Sequence, residues 1–378
     1  MCGIINTDTE SGVATHCIMQ RRCLHGKLNY ILQALRMVIT MYIMQNDYID
    51  NKYTKYQSRL LDFYIGNIDS SKIGVLDIET TGLSPRTSQF ILGGLLIYTD
   101  SGATLKQYFA ESLEEEKDTL IAFLDDIKNL DIVITYNGKH FDLNFLKIRM
   151  QRLNIYPDYQ FPYNLDLYLL LNGHSSLRKL LPNLKQKTVE NFMGLWSART
   201  DEISGAESVE MYQRFLVTQS EELRRLIMLH NSDDVLQLSQ LLPVLEKSDI
   251  HKAFFSLGFP IGDLHISKIS FESKDIKISG HQKNPLTYCA YDLDNCPCSL
   301  NFNRFSEEFY VNLPIIRKSG LIIADTKAFE KDFSDLQKYD TYDNGFVVLK
   351  QGNSINYMET NHFIKILMER ILEVIIPK

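Results

Sequence analysis

The 378 residues are 44% hydrophobic and 23% charged, too apolar for a disordered or fibrous chain and long enough to bury a core without staples. At roughly 150 residues per domain, that length predicts two domains. Forty Lys and Arg against 47 Asp and Glu leave a net charge of −7, which excludes attachment to nucleic acid by bulk charge alone but permits a local basic groove around an acidic site.

Residues 1–70 read as an N-terminal helical segment, with one helix over Leu28–Asp47 and a weaker one over Tyr53–Tyr64. The most apolar part, Tyr30 to Gln45, is interrupted by Arg36 and falls short of the ~20 residues that span a bilayer. The start shows none of the order of a signal peptide, so the expectation is a cytoplasmic protein with no membrane partner.

From Lys72 the texture changes. Ile73–Ile78 is a short apolar run closing on acids, as a buried strand does, and Gly82 and Pro85 then break the chain. Phe90–Tyr98 and Thr104–Phe109 read as strands around an Asp100, Ser101, Gly102 turn. A helix over Leu113–Lys128, a strand over Asp131–Tyr136 and a helix over His140–Leu153 follow. Tyr163–Asp166 is a further strand running into a helix through Leu171. Short helical pieces come next, over Ser176–Leu184, Thr188–Gly194 and Val209–Leu216, before a long helix over Ser220–Leu245. This order predicts an α/β domain over 71–247, a mixed sheet flanked by helices.

After Lys247, short alternating segments (Leu264–Phe271, Asp275–Ser279, Leu286–Tyr291, Phe309–Leu313, Gly320–Ala324 and Phe346–Lys350) predict an antiparallel β module. A last helix over Asn361–Ile375 closes it, giving an accessory domain over 260–378 that has room for a protein or nucleic-acid partner. The six cysteines are scattered. Cys289, Cys296 and Cys298 lack the second half-site of a zinc centre, so reduced thiols are the default.

Chemistry concentrates in the middle domain. Asp77 and Glu79, two apart on one strand, share a face, and two like charges there are costly unless a hard cation sits between them. Asp142 lies where a strand passes through Gly138 into a helix; taken alone it is equally a first-turn acid favoured by the helix dipole. His230 and Asp234 are four apart on the long helix and share a face, as many surface pairs do. A histidine beside a metal-bound carboxylate can accept a proton from water. Asp233 competes with Asp234, and helix geometry alone does not separate them.

In order, Asp-Ile-Glu-Thr-Thr-Gly-Leu (77–83), Tyr-Asn-Gly-Lys-His-Phe-Asp (136–142) and His-Asn-Ser-Asp-Asp-Val (230–235) resemble the DEDD exonuclease superfamily in its histidine subtype. Within it the chain most resembles the YprB-like ribonuclease-H-like branch; Arg199, Asp201 to Gly205 and Tyr212 resemble its linking segment. The resemblance covers about 72 to 245. It implies an RNase-H-like fold and a 3′–5′ exonuclease that hydrolyses DNA or RNA from its 3′ end, releasing nucleoside 5′-monophosphates. Residue by residue it implies Asp77, Glu79, Asp142 and Asp234 as ligands of two Mg²⁺ or Mn²⁺ ions, flanking the scissile phosphate ~3.5–4 Å apart, and His230 as general base. It implies substrate contacts for Thr80, Gly82 and Leu83, and site-shaping positions for Asn137 and Phe141. Asp166 is kept as a helix cap. Lys147, Arg149, Arg152, Arg178, Lys179, Lys185 and Lys187 are candidates to lead a phosphate backbone inward.

Two other classes compete. A degenerate copy of such a fold serves as a scaffold or an inactive nucleic-acid binder, but would usually have lost one of the acids. The opening Met-Cys-Gly-Ile resembles that of enzymes using an N-terminal cysteine nucleophile, with nothing downstream to support it.

Overall fold

The structure, a computed structural model, describes residues 41–49, 53–66, 68–195, 203–291, 297–329 and 332–375. Cys2, the predicted helix as far as residue 40, Arg199, Asp201, Glu202 and Cys296 lie outside them. The chain divides into two compact units. The first takes the described residues up to Tyr56, Asp69–Leu169 and Leu181–Val244; the second takes Gln57–Ile68, Leu170–Leu180 and the described residues from Leu245. Helix α1 (Arg59–Ile65), capped by Ser58, thus belongs to the second unit.

The first unit is built on a six-stranded sheet of β1 (Tyr42–Tyr48), β2 (Ile73–Thr80), β3 (Phe90–Thr99), β4 (Gly102–Phe109), β5 (Ile132–Thr135) and β6 (Tyr163–Asp166). Their spatial order is β1-β4-β3-β2-β5-β6, antiparallel from β1 to β2 and parallel from β2 to β6. This is the mixed sheet expected from the element order. Helices α2 (Glu116–Ile127) and α3 (Asp142–Leu153) pack Leu120, Phe123 and Phe145 on one face, over Leu76, Ile78 and Leu95. The short helices α4 (Leu167–His174), which passes into the second unit at Leu170, and α5 (Leu177–Leu180), which belongs to it, precede α6 (Gln186–Phe192) of the first unit. Then α7 (Gly205–Thr218) and α8 (Glu221–Gln240) pack Tyr212, Phe215, Ile227 and Met228 on the opposite face, over Ile91, Leu92 and Phe109. Ser204 and Glu207 form a reciprocal capping box at the start of α7, and Ser220 caps α8.

One expectation fails here. Tyr42–Tyr48, read as the end of a helix, is strand β1. Its apolar residues alternate: Tyr42 and Met44 join the α7–α8 core, whereas Ile43 joins the α2–α3 core. Pairing along the whole of β1 with β4 supplies its backbone partners, and that non-local ladder overrides the local helical pattern.

In the second unit, β7 (Pro260–Ile261), β8 (Leu264–Phe271), β9 (Asp275–Gln282), β10 (Tyr288–Ala290), β11 (Ser299–Phe302) and β12 (Glu308–Pro314) form a six-stranded antiparallel sheet. A second antiparallel sheet holds β13 (Ile316–Lys318), β14 (Leu321–Asp325), β15 (Tyr342–Asp343), β16 (Phe346–Gln351) and β17 (Ser354–Ile355). The expected antiparallel β module is present and holds two sheets, accompanied by α1, α9 (Ile250–Leu257) and the closing helix α10 (Tyr357–Ile375). Fully buried Tyr64 joins the three helices. Its ring stacks on Phe254 at 4.1 Å, and its hydroxyl meets His251 Nδ1 at 2.6 Å and accepts from Asn361 Nδ2 at 2.9 Å. Among the described residues no helix is long and apolar enough to cross a membrane.

Candidate active site

Strand β2 sets the geometry. Leu76 and Ile78 point into the α2–α3 core, so Asp77 and Glu79 face the other way, toward α8. There α8 brings His230 and Asp234 to Glu79: His230 Nε2 lies 3.6 Å from Glu79 Oε1 and 3.7 Å from Asp234 Oδ2. One donor atom from each of the three lies within 4.8 Å of the others. Asp142, buried in the first turn of α3, reaches β2 from past the end of β5, its Oδ1 accepting from Ile78 N at 3.3 Å. Asn231 Nδ2 donates to Asp77 Oδ2 at 2.9 Å. Asp234 meets the cluster, while the charge of buried Asp233 reaches Tyr48 of β1.

These carboxylates disturb one another. Burial first, then the charges of Asp234, Asp142 and Glu79, pushes the Asp77 carboxyl well above its usual range, and the Asn231 hydrogen bond opposes the shift. Burial likewise raises Glu79 to about 7, against His230 and the Ser208 hydroxyl. Asp142 rises to about 7 through burial, against backbone N–H bonds and with Asp166 and Asp234 adding to the rise. Buried, mutually repelling carboxylate oxygens are a donor set that fits a hard divalent cation.

The flanking loops are shaped for close approach. Asn137 takes a left-handed φ of 65° as the chain leaves β5. Asp166, at the end of β6, accepts from Asn137 N at 2.9 Å and Lys139 N at 3.0 Å, and also from Leu169 N as a cap of α4. It therefore both caps a helix and fixes the turn that delivers Asp142. Phe141 stands at the N-cap of α3 and packs onto the core there. After β2, Thr80 Oγ1 donates to Gly82 O at 2.9 Å, and a Cβ on Gly82 would lie 2.8 Å from Ser88 Oγ. Beside this tight turn Leu83 is 84% exposed.

Residues 75–245 match the RNase_H_2 family model of the RNase_H superfamily. They form an RNase H-like domain. The chain is 30% identical over 172 residues to the uncharacterized protein YprB of Bacillus subtilis (strain 168), a match covering 44% of this chain and 40% of that protein. It is 27% identical over 175 residues to the uncharacterized protein MJ0365 of Methanocaldococcus jannaschii, covering 45% of this chain and 93% of that one. This chain thus spans less than half of YprB. Among solved structures, it is similar to the family B DNA polymerase of Pyrobaculum calidifontis with a TM-score of 0.39 and 18% identity, over 49% of this chain and 26% of that one. It is also similar to E. coli Exonuclease I in complex with a dT13 oligonucleotide, with a TM-score of 0.30 and 12% identity, over 81% and 72%.

The RNase H-like domain uses its basic residues differently from the expectation. Arg149 is buried and paired with Glu116, so it offers no charge to a phosphate backbone. Lys187 Nζ donates to Ile203 O at 2.8 Å, and Arg178 and Lys179 belong to the second unit. Lys147, Arg152 and Lys185 are exposed. Three residues to which the motifs assign no role support the site: Asn231 against Asp77, Gln107 against Asn231 at 2.9 Å, and Gly94, which leaves space for Asn231. The Gly93, Gly94 pair inside a strand was the available signal, because a strand seldom spares two side chains unless another group comes close. Phe123 presses on Gly93 from one face and Asn231 on Gly94 from the other.

Proposed function

We propose that the RNase H-like domain is a metal-dependent 3′–5′ exonuclease that hydrolyses phosphodiester bonds of DNA or RNA. One observation carries this reading: Asp77 and Glu79, Asp142, and His230 with Asp234 come from three separate stretches of chain yet gather around the end of β2. Asp77, Glu79, Asp142 and Asp234 would hold two divalent cations, Mg²⁺ or Mn²⁺. Bound there, the cations supply Lewis-acid stabilisation of the charge that develops on the phosphate oxygens and make the attacking water more acidic.

The chain's own groups account for the other needs of the reaction. His230 Nε2 lies 3.6 Å from Glu79 Oε1 and 3.7 Å from Asp234 Oδ2, beside the carboxylates that would hold the cations, where it would accept the proton of the attacking water. Its burial keeps bulk water from competing for that position. The Thr80–Gly82 turn brings backbone close to where a terminal nucleotide would lie, and exposed Leu83 offers it an apolar face. Asn137 and Phe141 set the loop on the other side. Exposed Lys147, Arg152 and Lys185 remain to attract the phosphate backbone. The complete set of four acids and a histidine speaks against the reading of an inactive scaffold.

The test is incubation of end-labelled DNA and RNA oligonucleotides with the protein in Mg²⁺, Mn²⁺ or EDTA. The expected result is a ladder shortening from the 3′ end, nucleoside 5′-monophosphate as product, and no cleavage in EDTA. Cleavage that persists in EDTA, or proceeds from internal positions, would overturn the reading.

A further inference from the structure

Asp77 on β2, Gly94 on β3 and Gln107 on β4 form one cross-strand row on the face that meets α8. The middle position has no side chain, and Asn231 enters the gap from α8. Its Nδ2 donates to Asp77 Oδ2 at 2.9 Å, and its Oδ1 accepts from Gln107 Nε2 at 2.9 Å. A Cβ on Gly94 would lie 2.2 Å from that Oδ1, so any larger residue there displaces the amide.

The direction of this chain of hydrogen bonds is fixed by chemistry. Asp77 must be ionised to hold a cation, and an ionised carboxylate only accepts, so Asn231 then turns its NH₂ to Asp77 and its oxygen to Gln107. Gln107 must then present its own NH₂, which also donates to Met228 O at 2.7 Å. Its Oε1 is left buried with no hydrogen-bond partner. A fold that merely filled this space would gain nothing from orphaning a buried acceptor.

We propose that Asn231 is a positioning residue, held by Gln107 through the gap at Gly94, which fixes the Asp77 carboxylate in the orientation that binds a divalent cation. It takes no part in the chemistry, and the inference rests on the metal-dependent reading given above. Its support of a ligating carboxylate is of the kind whose loss costs 10–100-fold in metal affinity or activity.

The experiment measures Mn²⁺ affinity by electron paramagnetic resonance, and kcat and KM on an oligonucleotide, in variants whose folding is checked by circular dichroism. Asn231→Leu is expected to lower Mn²⁺ affinity by roughly 10–100-fold and kcat with it, leaving KM for the oligonucleotide nearly unchanged. Gly94→Ala removes no hydrogen-bonding group and should reproduce this loss; Gln107→Met should give a smaller loss in the same direction. A folded Asn231→Leu protein with wild-type Mn²⁺ affinity overturns the proposal. If Asn231→Leu does not fold, wild-type Mn²⁺ affinity in Gln107→Met overturns it instead. A wild-type protein that binds Mn²⁺ through Asp77 but cleaves nothing would sink the nuclease reading alone. One that shows no Asp77-dependent Mn²⁺ binding would sink both.

Discussion

Arg149 on α3 grips Glu116 on α2 through two parallel hydrogen bonds, Nε to Oε1 at 2.6 Å and Nη2 to Oε2 at 2.5 Å, with both side chains buried. The same carboxylate accepts from Phe90 N at 2.8 Å and Gln89 Nε2 at 3.1 Å, while Arg149 Nη1 donates to Pro85 O at 3.3 Å. The pair therefore anchors the far end of the loop that begins with Thr80, Gly82 and Leu83. Arg149→Ala leaves Glu116 buried without its cation and should destabilise the protein by roughly 3–5 kcal/mol in urea denaturation. The double change Arg149→Met with Glu116→Leu should recover most of that loss, since it leaves no unpaired charge. A single variant as stable as wild type would show that the pair is dispensable to the fold.

His230 and the two neighbouring acids of α8 separate the base from the ligand. His230→Ala should lower turnover by roughly 10²–10⁴-fold and leave metal binding largely intact, because the four carboxylates remain. Asp234→Asn should weaken both, a neutral amide being a poorer ligand for a hard cation. Asp233→Asn is the contrast: Asp234, not Asp233, groups with Glu79 and His230, so turnover should change little. Loss of activity in Asp233→Asn with retention in Asp234→Asn would assign the fourth ligand to the wrong residue. A His230→Ala rate near wild type across pH 6 to 9 would assign the base to another group.

Strands whose signal is local were legible. Tyr163–Asp166 and Leu264–Phe271 have the bounds that their apolar runs and turn residues suggest, and alternation along β2 correctly paired Asp77 with Glu79. Asp142 and Asp234 were ordinary acids when read singly; only the order of three motifs suggested that they meet. What stayed hidden depends on register. Gln107 is one polar residue among many until β4 is laid beside β3, and β3 beside β2, which sets it across Gly94 from Asp77. Strand β1 was hidden for the same reason, as its seven residues acquire their partners only from β4. No periodicity shows that α1 belongs with residues nearly two hundred positions later, among them Phe254 and His251.

That last arrangement alters what a truncation does. Ending the chain after Lys247 looks like clean removal of an accessory domain, but the second unit also contains Gln57–Ile68 and Leu170–Leu180. Tyr64 would lose its stack on Phe254 and its partners His251 and Asn361, and buried Leu61 and Ile65 would face water. Such a truncation should be insoluble or aggregate on gel filtration, through the exposed apolar patch. A monomeric, folded product would show that α1 can be covered without α9 and α10.

The cluster also sets how stability depends on pH. Asp142 titrates at about 7 in the fold, against about 4 for a free aspartate in the unfolded chain. Between those values the folded state binds more protons than the unfolded state, so stability falls as pH rises through that window. Below about 4 the penalty is absent; above about 7 it is fully present, on the order of a few kcal/mol. Asp142→Asn keeps an oxygen to accept from Ile78 N and removes the charge. In EDTA the variant should therefore unfold at a higher temperature than wild type at pH 8, with the gap closing by pH 4.5 in calorimetry. Saturating Mn²⁺ should reverse the order at pH 8, because a cation bound to the native state stabilises it and the variant has lost a ligand. A variant less stable than wild type at pH 8 in EDTA would mean that the buried charge on Asp142 is already compensated by the protein, and that the site does not depend on a cation to relieve it.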